Sequence, residues 1–208
     1  MKAIAVINPK GGSGKSTLAT NLAGYFAHRG LAVMLGDVDR QQSSKLWLSL
    51  RSPALPKVDT WSIGPDDVAR PPKGVTYAVM DTPAGLSGKS LEKVIRASSK
   101  LIIPVMASPF DLWATKVFLD RVLEIKGVAK RKTEVALVGM RVDPRTLASA
   151  RLAEFLAQQG AETVTMIRPT QLYGKVAAAG ASVFDVNAAD ATRELEDWAP
   201  LLRWIHTA

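Results

Sequence analysis

A chain of 208 residues, 47% hydrophobic and 22% charged, is long enough for one sizeable core and short for two, so a single domain spanning 1–208 is expected. The absence of cysteine excludes disulfides, thiolate metal sites and cysteine nucleophiles, and fits a reducing compartment. Lysine and arginine number 27 against 19 acids, a net charge of +8, so the surface attracts polyanions: nucleic acid is the first candidate, an anionic membrane surface the second, and a generically basic surface the plain alternative.

The first apolar run, Ala3 to Ile7, leads into Asn8-Pro9-Lys10-Gly11-Gly12-Ser13-Gly14-Lys15-Ser16-Thr17 and then into an apolar-periodic segment at Leu18, Leu22, Ala23 and Phe26. A strand, a glycine-rich turn and a helix N-terminus in that order make a phosphate-loop context. The glycines let the backbone N–H groups of the turn converge on one anion, and the helix dipole adds positive potential. Lys15 can reach the β- and γ-phosphates, and the Ser16 hydroxyl can ligate Mg²⁺. Lys10 to Thr17 therefore read as a nucleoside-triphosphate site. The usual G-x-x-x-x-G-K-[ST] pattern would place glycine at Pro9, and an additional lysine, Lys10, stands directly before Gly11.

The helix opened at Lys15 is expected to stop near Arg29-Gly30, and Leu31 to Gly36 is a second strand ending in Asp37-Val38-Asp39. Short apolar runs alternating with helical patterns imply parallel strands joined by crossover helices, so carboxylates at strand ends lie beside the phosphate loop. Asp37 and Asp39, two apart on a strand, face opposite ways and cannot share one role. Asp39 also suits the N-cap of a helix over Gln41 to Leu50. The proline-rich stretch from Ser52 to Gly74 reads as loops holding an edge strand around Val58 to Ile63, with Trp47 and Trp61 as packing residues.

Val75 to Met80 is the next strand, ending in Asp81-Thr82-Pro83-Ala84-Gly85, and an Asp closing a strand beside a phosphate loop is the Walker B arrangement that holds Mg²⁺. Leu101 to Val105 is a buried strand, Leu112 to Lys126 a helix, and Val135 to Met140 a strand ending at Arg141. Pro144 to Gln159 is a helix, Thr163 to Ile167 a short strand, Gln171 to Ala179 a helix, and Ala188 to Ile205 a terminal amphipathic helix. The pattern is a doubly wound α/β fold with a mostly parallel central sheet flanked by helices.

Lys-Gly-Gly-x-Gly-Lys-Ser after a strand, together with Asp37-Val38-Asp39, Asp81-Thr82-Pro83-Ala84, Ser108-Pro109-Phe110-Asp111 and Tyr173 to Asp185, resembles the deviant Walker A ATPases of the ParA/MinD family, over nearly the whole chain. The resemblance implies an ATP hydrolase with Mg²⁺, slow alone and stimulated by a partner. Lys10, otherwise a plain loop charge, would be the signature lysine that crosses a dimer interface to the partner's nucleotide. Asp37 would be an outer-sphere Mg²⁺ contact and Asp39 the carboxylate that orients water. Arg141 would lie near the adenine, with a surface arginine as the alternative. The family usually has Asp-Pro-Gln where Asp39-Arg40-Gln41 stands, and many members have an arginine at the place of Thr170, with Arg168 here two residues earlier.

The implied function is a ParA-like ATPase whose ATP-dependent homodimer holds non-specific DNA and partitions a plasmid or chromosome, or positions another large cargo, with a ParB-like or adaptor protein releasing it. The rivals are a MinD-like membrane-cycling ATPase and a non-switch P-loop metabolic enzyme. The terminal helix carries Asp190, Glu194, Glu196 and Asp197 where membrane-binding helices carry lysine and arginine, so packing on the core is expected and membrane binding is not. With no leader-like segment and no apolar run near the ~20 residues of a membrane span, the expected place is the cytoplasm, on the nucleoid when ATP is bound.

Overall fold

The computed structural model describes residues 1–39, 41–61 and 74–207. Arg40, where the chain departs from Asp-Pro-Gln, and Ile63, the end of the expected edge strand, lie outside the described residues. Six strands, β1 (Lys2–Val6), β2 (Val33–Asp37), β3 (Tyr77–Asp81), β4 (Lys100–Met106), β5 (Glu134–Met140) and β6 (Glu162–Ile167), form one sheet in the order β2-β3-β1-β4-β5-β6. Every pairing is parallel. The crossover from β1 leads to one side of the sheet and the crossover from β3 to the other, which puts a topological switch at the carboxyl end of β1, where such sheets bind ligands.

The strands read as apolar runs because both faces are covered. Ile4, Val6, Leu35, Val79, Ile102 and Val138 point into a core shared with α1 (Lys15–His28), α2 (Ser43–Leu50), α7 (Leu172–Ala178) and α8 (Thr192–His206). Their neighbours Ala5, Ile7, Met34, Met80, Leu101 and Leu137 point into a second core with α3 (Gly88–Ala97), α4 (Pro109–Glu124), α5 (Lys126–Ala129) and α6 (Leu147–Ala157). The period-two alternation of each strand thus feeds one core from each face.

Two features differ from the sequence reading. The helix α3 was not expected, although Leu91, Val94 and Ile95 fall at helical spacing and are buried; its polar residues lower the mean hydropathy of the segment below that of its neighbours. Around Val58 the described residues contain one parallel bridge, Met34 to Asp59, with Leu35 N donating to Asp59 O at 2.8 Å, rather than a strand.

The terminal helix packs on the core as expected, with Trp198, Leu201 and Ile205 fully buried. Its carboxyl end is anchored at the amino ends of the strands. The buried Lys100 ammonium donates to Trp204 O and Thr207 Oγ1, each at 2.9 Å, and to Glu134 Oε2 at 3.1 Å, and stands 4.4 Å over the Trp204 ring. His206 sits between the hydroxyls of Tyr25 (3.1 Å) and Tyr77 (3.2 Å). Nearby, Arg51 makes two 2.9 Å bonds to the Asp185 carboxylate, their side chains only 5% and 1% exposed, and also donates to Gly180 O and Pro56 O. Gly180 is required there: its φ is 62°, and a Cβ would come within 2.3 Å of Arg51 N.

Candidate functional site: a phosphate loop and two joined cavities

The loop after β1 is pinned before it turns. The Asn8 amide donates to Pro104 O of β4 at 2.7 Å while its carbonyl accepts from Lys10 N at 2.7 Å, and Gly85 N, in the loop after β3, donates to Pro9 O at 2.9 Å. Gly12 (φ 72°) and Gly14 (φ 98°) take left-handed conformations. Gly14 is the N-cap of α1 and offers no side-chain cap, so the first amides of the helix remain available to an anion. A Cβ at Gly14 would also meet Met140 Cε at 2.8 Å, the movable end of a flexible side chain, so it is the left-handed backbone that calls for glycine here.

Lys15 is 7% exposed and its ammonium donates to Lys10 O at 2.7 Å, a carbonyl that also accepts from Ser13 Oγ at 3.2 Å. Burial lowers the Lys15 pKa, opposed by the charges of Asp81 and Asp39. The two carboxylates at the ends of β2 and β3 are in register, Asp37 beside Asp81. Asp81 is 1% exposed; its Oδ2 accepts from Ser44 Oγ at 2.7 Å, and its Oδ1 is buried without a hydrogen-bond partner among the described residues. Burial raises its pKa to about 6, with the Ser16 and Ser44 hydroxyls and Lys15 pulling it down and Asp37 pushing it up.

That unpartnered oxygen tests the fit of a magnesium ion. Mg²⁺ is held by one or two carboxylates together with phosphate oxygens, not by an all-protein cage. One orphaned carboxylate oxygen beside the Ser16 hydroxyl at the foot of a phosphate loop is such a donor set, and no cluster of three or more His, Cys, Asp or Glu competes among the described residues. Asp37 is oriented differently: its Oδ1 accepts from Asp39 N at 2.9 Å and its Oδ2 from Lys45 N at 3.0 Å, so it shapes the turn into α2. Burial raises its pKa against these backbone bonds. Asp39 is half-buried, lines the cleft and accepts from Gln41 N through Oδ1 at 3.0 Å. The N-cap position of α2 itself belongs to Gln42, in a left-handed conformation.

The loop from Gly11 to Thr17, Asp39 and Arg141 line a cleft of about 740 Å³, closed on the far side by Pro83 to Ser87 and by Ser90 and Lys93 of α3. A second cavity of about 590 Å³ shares Gly12, Gly14, Thr17 and Arg141 with it and is otherwise lined by Met106, Met140, Ile167, the residues from Arg168 to Gln171, and Tyr173, Gly174 and Ala177 of α7. Two contiguous volumes of this size suit the polyphosphate and the base of one nucleotide. Arg141 is exposed where they meet, at φ 53°. Thr170 and Arg168 both line the second cavity, but the Arg168 guanidinium is engaged by Asp197.

Sequence reasoning gave no role to Asn8 or Ser44, and of the residues lining the second cavity it placed only Arg141 near the base. Asn8 carried a signal, a polar residue directly after an apolar strand; Ser44 carried none, because its partner lies 37 residues away.

Residues 4–128 match the family described as the CobQ/CobB/MinD/ParA nucleotide binding domain. Maintenance of carboxysome distribution protein A of Gloeobacter kilaueensis is 31% identical over 199 residues, which cover 94% of this chain and 89% of that protein. Among solved structures, a plasmid partition protein of Borrelia burgdorferi B31 bound to AMPPNP has a TM-score of 0.74 at 20% identity, covering 98% of this chain and 99% of its own. The septum site-determining protein MinD of Pyrococcus horikoshii complexed with Mg-ADP has a TM-score of 0.73 at 14% identity, covering 99% and 96%. With the glycine-rich loop, the strand-end carboxylates and the parallel sheet in the arrangement described above, the chain belongs to the CobQ/CobB/MinD/ParA nucleotide-binding family.

Proposed function

We propose that this chain is a ParA-like ATPase that dimerises on ATP, holds DNA without regard to sequence in that state, and so partitions a plasmid or chromosome or positions another large cargo in the cytoplasm. A ParB-like or adaptor protein would stimulate hydrolysis and release. The observation that carries the reading is Lys10. It stands at the mouth of the phosphate loop with its carbonyl fixing Lys15, while no hydrogen bond or ion pair engages its ammonium among the described residues. A cation so placed can neutralise phosphate charge on a facing copy. The amides from Gly11 to Ser16 and Lys15 would bind the phosphates, Ser16 and Asp81 would hold Mg²⁺ with Asp37 as an outer-sphere contact, and Arg141 would border the base. The ion, when bound, neutralises charge on the phosphate oxygens. Asp39, with Oδ2 outside the turn's hydrogen bonds, orients the attacking water. Similarity to a carboxysome-distribution protein and a plasmid partition protein supports a cargo-positioning role.

DNA is favoured over a membrane on two grounds. The apolar face of α8 is buried in the core, which leaves none to lay on a bilayer, and Lys130, Arg131 and Lys132 are exposed together on the turn after α5. Light scattering and gel shifts of unrelated duplexes with ATP, ADP and no nucleotide test the proposal. The expected outcome is dimerisation and DNA retention with ATP alone, with a log-log salt slope near −0.9 per phosphate contacted. Lys10→Ala is expected to bind ATP within a small factor and not to dimerise. DNA binding that is absent or equal in all three states rejects the ATP-switched clamp.

A further inference from the structure

The second cavity is built largely by one connection, the residues between β6 and α7: Arg168, Pro169, Thr170 and Gln171, followed by Tyr173 on the helix. Such a segment has no sheet ladder of its own, so its position depends on what lies behind it. Among the described residues the segment's own bonds are those that start α7, Leu172 N to Thr170 Oγ1 at 3.2 Å and Lys175 N to Gln171 O at 3.1 Å.

Behind it lies α8. Asp197 accepts from Arg168 N at 2.9 Å and from the Arg168 guanidinium at 2.8 to 3.0 Å, so one carboxylate holds both the backbone and the side chain of the first wall residue. The same guanidinium donates to Arg193 O at 2.8 Å, one turn earlier on α8. Thr165 Oγ1 donates to Asp197 O at 2.6 Å, which fixes the helix against β6. At the other end of the wall, the indole N–H of the fully buried Trp198 donates to the Tyr173 hydroxyl at 2.9 Å, and the Trp198 ring packs edge-on against Phe184. Two consecutive residues of α8 therefore hold the two ends of the cavity wall.

We propose that Asp197 and Trp198 are positioning residues for the base of the nucleotide, so that affinity for a base-bearing nucleotide depends on α8 while affinity for a bare polyphosphate does not. The inference rests on the reading of Lys10 to Thr17 as the polyphosphate site, whose residues share no hydrogen bond or ion pair with Asp197 or Trp198 among the described residues. Because binding coupling is reciprocal, filling the second cavity must in turn stabilise the seating of α8. The end of the chain thus registers the base of the nucleotide.

Calorimetric titration with ATP and with inorganic tripolyphosphate, on wild type, Asp197→Asn, Asp197→Ala and Trp198→Phe, tests this. Loss of a charge-assisted hydrogen bond behind the wall is expected to weaken ATP by about tenfold in Asp197→Ala. Asp197→Asn, which retains an acceptor, recovers part of that loss, and tripolyphosphate affinity stays as in wild type throughout. Hydrogen exchange supplies a second readout: ATP slows the α8 amides of wild type more than tripolyphosphate does, and the difference disappears in Asp197→Ala. Equal loss of both ligands in the near-isosteric Asp197→Asn and in Trp198→Phe, unchanged ATP affinity in all variants, or equal protection of α8 by the two ligands overturns the inference. Wild type that binds neither ligand removes the phosphate-loop reading itself, and the inference with it.

Discussion

The two ends of the sheet treat polar groups in opposite ways. At the amino ends, buried or bridging polar side chains are saturated: Lys100 has three oxygen partners and a ring beneath it, and His206 touches two tyrosine hydroxyls. The Arg51–Asp185 pair, where α2 and α7 end, is similarly complete. At the carboxyl ends the helix amides after Gly14 have no side-chain cap, and Asp81 Oδ1 and the Lys10 ammonium lack partners among the described residues. Burying an unpaired polar group is costly, and saturating it removes the cost. The saturated end closes the fold, and the unsaturated end retains the capacity to bind.

The largest effect expected from breaking this comparison is at the saturated end. Arg51→Ala leaves the Asp185 carboxylate buried without its cation and is expected to cost about 3–5 kcal/mol, read as a lower urea midpoint. A cost below about 1 kcal/mol places the closure elsewhere. At the other end Asp39→Ala is expected to leave ATP affinity and thermal stability near wild type while slowing hydrolysis by about 10²-fold or more. Turnover at the wild-type rate moves the water-orienting role, with Asp37 the first alternative.

Asp81→Asn is expected to separate binding from stability. The Asp81 carboxyl has a pKa of about 6 when folded, above its ordinary value, so the folded state holds this proton more tightly than the unfolded one. Its contribution therefore falls as pH rises from about 4 to 6, and the deficit persists at pH 7. In the absence of nucleotide, the asparagine variant is expected to be more stable than wild type at pH 7 by about 1–3 kcal/mol, with the gain vanishing below about pH 4, and to lose Mg²⁺-dependent ATP affinity. Equal melting temperatures at pH 7 contradict the assignment. The smallest effect concerns DNA. Arg145 is bidentate to Asp143, with bonds of 2.9 and 2.7 Å, while Arg131 lies exposed between two other basic residues. Arg131→Ala is expected to reduce the salt slope by about one and Arg145→Ala by clearly less. Equal changes erase the distinction between paired and unpaired charge.

What could be read from the sequence divides along the same line. The phosphate loop, the strand ends at Asp37 and Asp81 and the alternation of strand with helix are local patterns of chemistry and period, and the parallel sheet follows from them. The partners that saturate or position groups are distant along the chain: Ser44 with Asp81, Arg51 with Asp185, Arg168 with Asp197. No periodicity records them, because each joins two elements far apart in the chain that meet only in the folded structure. The helix α3 was missed for a different reason: three buried residues on an otherwise polar segment are a weak signal until its place against β1 and α5 is known.

Arg141 has a consequence beyond its place in the cleft. A non-glycine residue in the left-handed region stores strain of about 1 kcal/mol or more, and here it ends β5 at the seam of the two cavities. The backbone at this point is made for glycine, yet it displays the longest cationic side chain in the genetic code toward both cavities. The protein tolerates a stored distortion to keep a guanidinium at that seam, so Arg141→Gly relaxes the main chain and removes the cation in one step: the mutant becomes harder to melt and poorer at holding an anion.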